Sequence, residues 1–506
     1  MKFQLSSTKL LSLHDDCLVV FTGGRKDVGL QLFHNGIEVD KKNSSRISVF
    51  AGEQDFEGKV GKTLLIHNAS GNHILLAGVG DVKKLTMKDW QDVMATVGRE
   101  AKKIHAKTVS IVLEKEITDI LGVEKTAEGI VEGMTLGTYT FNRYKKMEKK
   151  EHEIETVSII SVEEKEFLEK GIRLGELMSK GTLVARDLVN EPSSVTTPTF
   201  LSLLARDIAK KDSSITCRVL EKKDMEKLGM GGILGIAKGS DEDPKLVALS
   251  YHSPAKNAKT IVLVGKGVTF DSGGLSLKSQ EGMETMKIDM AGAAAILGVF
   301  SVLSEVKPLV NVIGVIPCVE NMPSGKAIKP GDVVRAYNGK TIEVISTDAE
   351  GRVILADALA WAGETMKPDV MIDLATLTGA CMVALGEDIT GLFSTNKQLT
   401  TDIMQSSSMT GEAVWELPLT ESYTDLLKSD IADVRNVTRK RYGGAITAAL
   451  FLKEFVPESI PWVHLDIAGP AVAEKDAPLT PVGGTGFGVR LVLQYLNEHF
   501  GSQTKI

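Results

Sequence analysis

Residues 260–274 read TIVLVGKGVTFDSGG, an apolar run typical of a buried β-strand followed by a turn of glycines and polar residues. Further along the chain, residues 341–352 read TIEVISTDAEGR and repeat this order of apolar run and polar turn. In open α/β sheets, ligands bind outside the carboxyl ends of the strands, where such turns gather. The two segments therefore predict an α/β fold in which both polar turns line one cavity.

Four carboxylates stand out in and between these segments: Asp271, Asp289, Asp348 and Glu350. Taken singly, each is more typical of a helix N-cap or a solvated turn. Grouped around one cavity, their mutual repulsion would be costly unless cations lay between them. Two divalent ions would supply the four matching positive charges. The joint pattern therefore predicts a dinuclear metal site, with hydrolytic chemistry.

Lys266 lies between two glycines, as a phosphate-binding lysine does in a P-loop. The P-loop pattern fails because Gly267 occupies the Ser/Thr position and the earlier glycine is missing. A nucleotide site is therefore not expected. Next to two metal ions the ammonium form would be disfavoured, so a neutral Lys266 amine could serve as a nitrogen ligand.

The other three carboxylates each lie just before a predicted helix. Asp289 precedes an alanine-rich helix predicted over residues 290–303, where it could act as N-cap and still face the sheet edge. Asp348 and Glu350 fall in the turn before a helix predicted over residues 352–361. Their alternate spacing lets both side chains face one cavity in an extended turn, and Ala349 between them leaves space.

Two cationic residues lie close to the candidate ligands. Lys278 and Arg352 would each be read as surface charges in isolation, but a fixed cation there could stabilise an oxyanion or hold an anion. Arg352 begins a predicted helix, whose free backbone N–H groups also favour an anion. A small carboxylate-like ion or bicarbonate is therefore expected beside Arg352.

Histidine-based chemistry lacks support, because His252, His464 and His499 are isolated and no histidine lies near either polar turn. This argues against a histidine-rich zinc protease site and a Ser-His-Asp triad. His464 lies inside an apolar run and is predicted to be a core residue whose ring nitrogens are satisfied. Ser272 has no partner base in its sequence context and is predicted to shape the turn.

Composition is that of a globular protein, with 43% hydrophobic and 25% charged residues among 506. A net charge of −7 argues against a general nucleic-acid or anionic-membrane surface, although a local basic patch would escape this count. The four cysteines are scattered, which favours free thiols in a reducing compartment. Residues 1–16 lack the continuous apolar stretch of a signal peptide or membrane helix, so a cytoplasmic location is expected.

The length favours two domains. Residues 1–165 alternate short apolar runs with helical patterns and predict a smaller α/β domain. Residues 166–190 predict a connecting helix, which ends before Pro192 because proline disfavours helix in the preceding residue. Residues 191–506 predict a larger α/β catalytic domain, with a central, mainly parallel sheet flanked by helices, and hold all the candidate chemistry.

The same residues resemble the cytosolic leucyl aminopeptidase family, two-metal enzymes that remove amino-terminal residues from peptides. The resemblance covers both domains in order. It is densest in residues 190–193, 264–278, 286–292, 347–352, 375–379, 441–447 and 464–469.

The resemblance implies a role for each candidate. Asp271 and Glu350 would bridge two ions, zinc or manganese, with Lys266 and Asp289 completing one site and Asp348 the other. A hydroxide bridging the two ions would attack the carbonyl, polarised with the help of Lys278, and Arg352 would hold a bicarbonate that relays the proton. Further residues would surround the substrate's first side chain or backbone: Met286, Thr376, Leu377, Gly379, Ala468 and Ala471.

The resemblance also implies a homohexamer with an oligomer or access role for the N-terminal domain. Ser346 departs from the asparagine usual in relatives, and Ala471 replaces a bulkier apolar residue of some relatives, so strict leucine preference is not expected. Two alternatives stay open. One is a two-metal phosphoesterase, because paired ions also stabilise phosphoryl displacement. The other is an additional DNA-binding accessory role.

Overall fold

The computed structural model describes residues 1–6, 15–25, 29–67, 72–146, 152–161 and 165–502. Residues 1–16 are predicted to contain no signal peptide, and residues 7–14 of this stretch lie outside the described residues. The chain divides into two compact units. One contains Met1–Ser179 and Lys475–Pro481, and the other contains Lys180–Glu474 and continues from Val482. The predicted two-domain α/β fold is confirmed.

The N-terminal unit is a seven-stranded sheet with helices. Its strands are β1 (Lys2–Ser6), β2 (Cys17–Arg25), β3 (Gly29–Leu32), β4 (Thr63–His67), β5 (His73–Gly80), β6 (Thr108–Val112) and β7 (Thr156–Ile160). Its helices are α1 (His34–Lys42), α2 (Arg46–Glu53), α3 (Met87–Lys103), α4 (Lys115–Leu121) and α5 (Val123–Gly137), and α6 (Lys165–Asn190) begins here. The strand order is β1-β7-β6-β2-β5-β4, with β3 paired to β2.

The sequence of α3 shows how this unit is built. The helix begins with a capping box in which Thr86 and Asp89 each bind the other's backbone N–H group. Its apolar face buries Trp90, whose ring lies 4.8 Å from that of Phe21 on β2. The indole N–H donates to the carbonyl of Thr126 on α5. Amphipathic helices therefore pack onto the sheet through large apolar side chains.

The second unit holds the candidate chemistry. Its strands are β8 (Ile215–Leu220), β9 (Lys245–Tyr251), β10 (Thr260–Gly265), β11 (Gly267–Asp271), β12 (Asn311–Asn321), β13 (Val333–Arg335), β14 (Thr341–Glu343), β15 (Val370–Ala375), β16 (Thr390–Ser394), β17 (Val414–Glu416), β18 (Val434–Arg435), β19 (Trp462–Asp466), β20 (Val472–Ala473) and β21 (Gly483–Gly484). Its helices are α7 (Pro198–Lys210), α8 (Lys222–Leu228), α9 (Gly231–Ala237), α10 (Gln280–Glu284), α11 (Ala291–Val306), α12 (Glu350–Met366), α13 (Gly379–Leu385), α14 (Lys397–Thr410), α15 (Gly444–Lys453) and α16 (Val489–Phe500). Short 3₁₀ turns cover Met286–Ile288 and Glu421–Leu427 in this unit and Val82–Lys84 in the N-terminal unit.

The large sheet has the order β17-β16-β19-β15-β10-β12-β9-β8, with β11 paired to β12. The central strands β19, β15, β10 and β12 run parallel to one another. Strands β9 and β8 pair antiparallel on one side, and β16 pairs antiparallel with β19 on the other. The carboxyl ends of the central strands therefore meet at one edge, as the sequence predicts.

Helix α11 packs very close to this edge because it has a glycine, Gly292, in its first turn. A Cβ atom at Gly292 would collide with the carbonyl oxygen of Leu374 on β15. The close approach lets the N–H of Ala293 bind the carbonyl of Lys266. The wider segment Gln280–Val306 is apolar enough to cross a membrane, but 78% of its apolar window is buried inside the protein, as in a core helix.

The apolar run at residues 341–345 forms a strand only over Thr341–Glu343, and this strand belongs to a small sheet of order β13-β14-β18 that is separate from the large one. Beyond it the chain leaves the ladder, and the N–H of Ile345 binds the side chain of Asn436 instead. The second polar turn therefore reaches the sheet edge from a separate hairpin.

Candidate metal centre

The two polar turns meet in space. Asp271, at the end of β11, Asp348 and Glu350 offer carboxylate oxygens that lie within 4.8 Å of one another. Asp271 and Glu350 are buried, whereas Asp348 is exposed. The structure thus gathers carboxylates from two distant segments into one cluster with an open side.

Two local expectations are corrected. Glu350 is the first residue of α12, which begins two residues earlier than predicted. Asp289 does not cap α11, because Met290 occupies the N-cap position and Asp289 ends the 3₁₀ turn Met286–Ile288. Its Oδ1 atom instead accepts hydrogen bonds from Lys266 Nζ at 2.7 Å and from the hydroxyl of Thr376 at 2.7 Å. Asp289 therefore faces the cluster.

Lys266 lies at the centre of the carboxylates. Its Nζ atom is 2.7 Å from Asp289, 2.9 Å from Glu350 and 2.8 Å from the carbonyl of Thr376. Burial lowers the pKa of this amine, but Asp289, Glu350 and Asp271 together raise it above its ordinary value. The neutral amine expected from the sequence is thus not favoured by the protein alone. Cations between the carboxylates would reverse this field and favour the neutral form.

Lys278 lies on the other side of the cluster. Its Nζ atom is 2.9 Å from Asp271 and 2.6 Å from Asp348. Burial lowers its pKa, but Asp271 and Asp348 together raise it above its ordinary value. The surface-charge reading of Lys278 is therefore wrong.

The donor set fits divalent cations. Four carboxylates and two lysines leave two negative charges uncompensated within the cluster. Burial raises the pKa of Asp271, Asp289 and Asp348, which shows that the protein alone stabilises their charge poorly. In addition, Asp289 Oδ2 and Glu350 Oε2 are buried and accept no hydrogen bond from the described residues. Hard, oxygen-preferring cations would satisfy both the charge and these atoms.

Asn321 connects the two turns and was missed by sequence reasoning. This residue ends β12 and is fully buried. Its Nδ2 atom donates to Asp271 Oδ1 at 2.8 Å and to the carbonyl of Thr347 at 2.9 Å. Ser276 and Thr347 add two reciprocal hydrogen bonds between the same turns. In the sequence, the only feature that marks Asn321 is its position at the end of a long apolar run.

Arg352 is buried in the first turn of α12, so the surface-charge reading fails here too. Its Nη1 atom donates to the carbonyl of Asn436 at 2.8 Å, while its Nε atom is buried with no partner among the described residues. Burial lowers the pKa of this guanidinium to about 10, so it remains charged near neutrality. A buried charge with an unused donor is suited to binding a small anion.

Most candidate substrate contacts lie on loops at the same sheet edge. Thr376 binds Asp289 directly. The N–H groups of Leu377 and Ala468 both donate to Asp466 Oδ1, at 3.2 and 3.3 Å. Asp466, at the end of β19, was also missed, and it holds the loops after β15 and β19 together. The remaining candidates are Met286, which opens the 3₁₀ turn before Asp289, exposed Gly379, which begins α13, and buried Ala471.

His464 lies in the core, as predicted. Its side chain is fully buried between the rings of Phe393 and Trp462, and Nδ1 lies 2.6 Å from Asp373 Oδ1. Its Nε2 atom has no partner among the described residues. Ser272 shapes the turn as predicted, because its hydroxyl binds the carbonyl of Asn321 and accepts the N–H of Gly274.

Family models match both units of the chain. Residues 183–493 match the catalytic domain of the cytosol aminopeptidase family, and residues 19–148 match the N-terminal domain of that family. Together the two matches cover most of the chain.

Individual relatives match over nearly the whole length. A probable cytosol aminopeptidase of Alkaliphilus metalliredigens is 41% identical over 502 residues, covering 98% of this chain and 99% of the relative. A tomato leucine aminopeptidase mutant has a TM-score of 0.89 at 34% identity and covers 99% of this chain and 97% of its own. The bottromycin maturation enzyme BotP in complex with Mn has a TM-score of 0.83 at 32% identity, covering 96% and 99% respectively.

Proposed function

The chain belongs to the cytosol aminopeptidase family of metal-dependent aminopeptidases, and we propose that it removes apolar amino-terminal residues such as leucine from peptides by a two-metal mechanism. The observation that supports this most strongly is the cluster of Asp271, Asp289, Asp348 and Glu350 around two lysines. Its surplus negative charge and its unpartnered carboxylate oxygens suit two divalent ions.

Five residues would hold the ions. Asp271 and Glu350, the buried carboxylates of the two turns, would bridge both ions. Lys266 and Asp289 would complete one site, and Asp348 the other. We propose zinc or manganese, because oxygen donors with one nitrogen and no thiolate suit either ion. The manganese bound by BotP supports the second choice.

When bound, the ions supply Lewis acids that polarise the scissile carbonyl, hold the free amine and lower the pKa of water from 15.7 to about 7. Lys278, whose amine reaches the open side of the cluster, would stabilise the developing oxyanion. Arg352 would hold a bicarbonate through its unused Nε donor, and a bicarbonate held there would supply a general base and acid for proton transfer beside the cluster.

Substrate preference would be set by the loops at the sheet edge. Met286, Thr376, Leu377, Gly379, Ala468 and Ala471 would surround the first residue of the peptide. Ser346 and Ala471 are small, so we propose a pocket that takes leucine and also larger apolar residues. This proposal is tested by the hydrolysis rates of dipeptides whose amino-terminal residue is Leu, Met, Phe, Asp or Lys. Comparable kcat/KM values for Asp and Leu would contradict an apolar pocket.

We further propose a cytoplasmic homohexamer that acts on peptides with a free amino terminus, without a membrane partner. The N-terminal unit would serve oligomer formation or control access to the site. The net charge of −7 gives little support to nucleic-acid binding, so a DNA-binding accessory role remains a secondary alternative. Light scattering of the purified chain tests the hexamer directly.

A further inference from the structure

Asn436 follows β18 and is fully buried against the turn that carries Asp348 and Glu350. Its Oδ1 atom accepts hydrogen bonds from the N–H groups of Ile345 and Ser346, at 2.8 and 3.4 Å. Its Nδ2 atom donates to the carbonyls of Ser346 and Ala349, at 2.7 and 3.4 Å. One amide side chain therefore binds backbone groups from the beginning to the end of this turn.

The backbone of Asn436 extends these contacts. Its N–H donates to the carbonyl of Glu343 on β14 at 3.0 Å. Its carbonyl accepts the hydrogen bond from Arg352 Nη1 at 2.8 Å. A single buried residue thus contacts the strand before the turn, the turn itself and the arginine after it.

The turn needs such a partner because it has left the regular strand. Ile345 and Ser346 lie beyond the end of β14 and are half-buried, and their N–H groups donate to Asn436 where a regular strand would donate to its neighbour. Polar backbone groups shielded from water are nearly always paired in this way. The positions of Asp348 and Glu350 follow from the shape of this turn. That shape is maintained by Asn436 from one side and by Asn321, through the carbonyl of Thr347, from the other.

We propose that Asn436 is a positioning residue for the reaction. It fixes the distance between Asp348 and Glu350 and holds the side chain of Arg352 in a constant position relative to them. This proposal rests on the proposed function, because the spacing matters only if these carboxylates bind ions. An amide is required, because aspartate would lose both donated bonds and add negative charge beside a cluster that already has a surplus. Groups behind the metal ligands commonly affect metal affinity or activity 10- to 100-fold.

The test compares Asn436→Ala with the wild-type full chain, both loaded with Mn²⁺. We expect 10- to 100-fold weaker Mn²⁺ retention against a chelator, together with faster hydrogen–deuterium exchange in residues 345–350. Exchange in β10, at residues 260–265, should stay unchanged. The matched control is Asn311→Ala, whose amide holds residues 253 and 258 at the opposite end of β12. It should leave both Mn²⁺ retention and exchange of the turn unchanged.

Wild-type Mn²⁺ retention and slow exchange of the turn in a folded Asn436→Ala variant would overturn the proposal, as would faster exchange throughout the unit. If the alanine variant does not fold, Asn436→Asp decides. It keeps the acceptor for Ile345 and Ser346 but lacks both donors, so Mn²⁺ retention should still fall about tenfold or more, and wild-type retention would overturn the proposal. Hydrogen–deuterium exchange of the turn is measured without substrate and does not depend on enzyme activity. If the proposed aminopeptidase function is wrong, the wild-type chain itself will show no activity, and this result is distinct from a failure of the Asn436 proposal.

Discussion

At the scale of single residues, Lys266 shows why this cluster suits metal ions. The amine is buried, which disfavours its charge, yet three carboxylates around it raise its pKa. Without metal ions, one lysine ammonium therefore lies among three carboxylates, whose negative charge it cannot neutralise alone. Cations placed between the carboxylates would relieve the repulsion and lower the pKa of Lys266, so that the ammonium loses its proton to solvent and its nitrogen gains a lone pair. The same residue could then change from counter-ion to ligand.

Glu350→Ala tests the bridging assignment. Glu350 is buried and has one carboxylate oxygen without a partner among the described residues, so its removal takes away a donor that we assign to both ions. We expect activity to fall to the background rate and metal content, measured by mass spectrometry after dialysis, to fall below two ions per chain. A variant that keeps two tightly bound ions would contradict the assignment.

Arg352→Ala separates proton relay from metal binding. Arg352 contacts none of the candidate carboxylates through a described hydrogen bond, and its Nε atom is unused. We expect kcat to fall about 100-fold, in the range typical of general acid–base catalysis, while metal content stays the same. The matched control is Arg335→Ala, an exposed arginine bound to a neighbouring carbonyl. An unchanged kcat in Arg352→Ala would refute the role.

Sequence reasoning located Asp271, Asp348 and Glu350 because they lie in polar turns that follow apolar runs, and Asp289 because it precedes an alanine-rich helix. It could not locate Asn321, Asn436 or Asp466. Their side chains bind backbone groups of residues far along the chain, and no local spacing marks such contacts. The ligand roles themselves stay predictions until metal binding is measured.

At the scale of strands and helices, the central strands were predictable because long apolar runs between turn residues are a strong signal. Strand β10 covers Thr260–Gly265, the apolar run with which residues 260–274 begin. The sequence did not indicate that the strand within residues 341–345 belongs to a separate small sheet, since an apolar run does not reveal its partner strand. The start of α12 was missed because Glu350 lacks any capping signal before it.

His464 joins two central strands and provides a test at this scale. It pairs directly across from Asp373, and this carboxylate raises the pKa of the imidazole even though burial lowers it. A group whose pKa is higher in the folded than in the unfolded state adds to the free energy of unfolding. For histidine this stabilisation is complete at pH values below the pKa in the unfolded state, about 6.5. It is lost as the pH rises through the pKa in the folded state. The ion pair between His464 and Asp373 therefore stabilises the sheet at acid pH and no longer does so at alkaline pH.

We therefore expect His464→Gln to lower the urea midpoint more at about pH 6 than at about pH 9. The variant removes the imidazolium, so the difference from wild type should shrink as the pH increases. His252→Gln, which changes an exposed histidine, is the control. A difference between His464→Gln and wild type that grows with pH would show that the histidine is held neutral instead.

At the scale of the whole molecule, the sequence indicates two α/β units joined by a helix predicted over residues 166–190, but it does not indicate that a later segment returns to the first unit. The division falls within α6, between Ser179 and Lys180, and residues 475–481 return to the first unit. Arg99 holds that returning segment by donating to the Asp476 side chain and to the carbonyl of Ala477. Such contacts between distant parts of a chain leave no mark in local sequence patterns.

We expect the whole chain to be a metal-dependent aminopeptidase that requires a free amine. The most direct test is the initial rate on leucine-p-nitroanilide and on its N-acetylated form, for chain stripped by a chelator and then reloaded with manganese or zinc. We predict cleavage of the free-amine substrate alone, and only after reloading. Equal cleavage of both substrates, or no cleavage with either metal, would contradict the claim, and the second result would favour a phosphoesterase or a binding role.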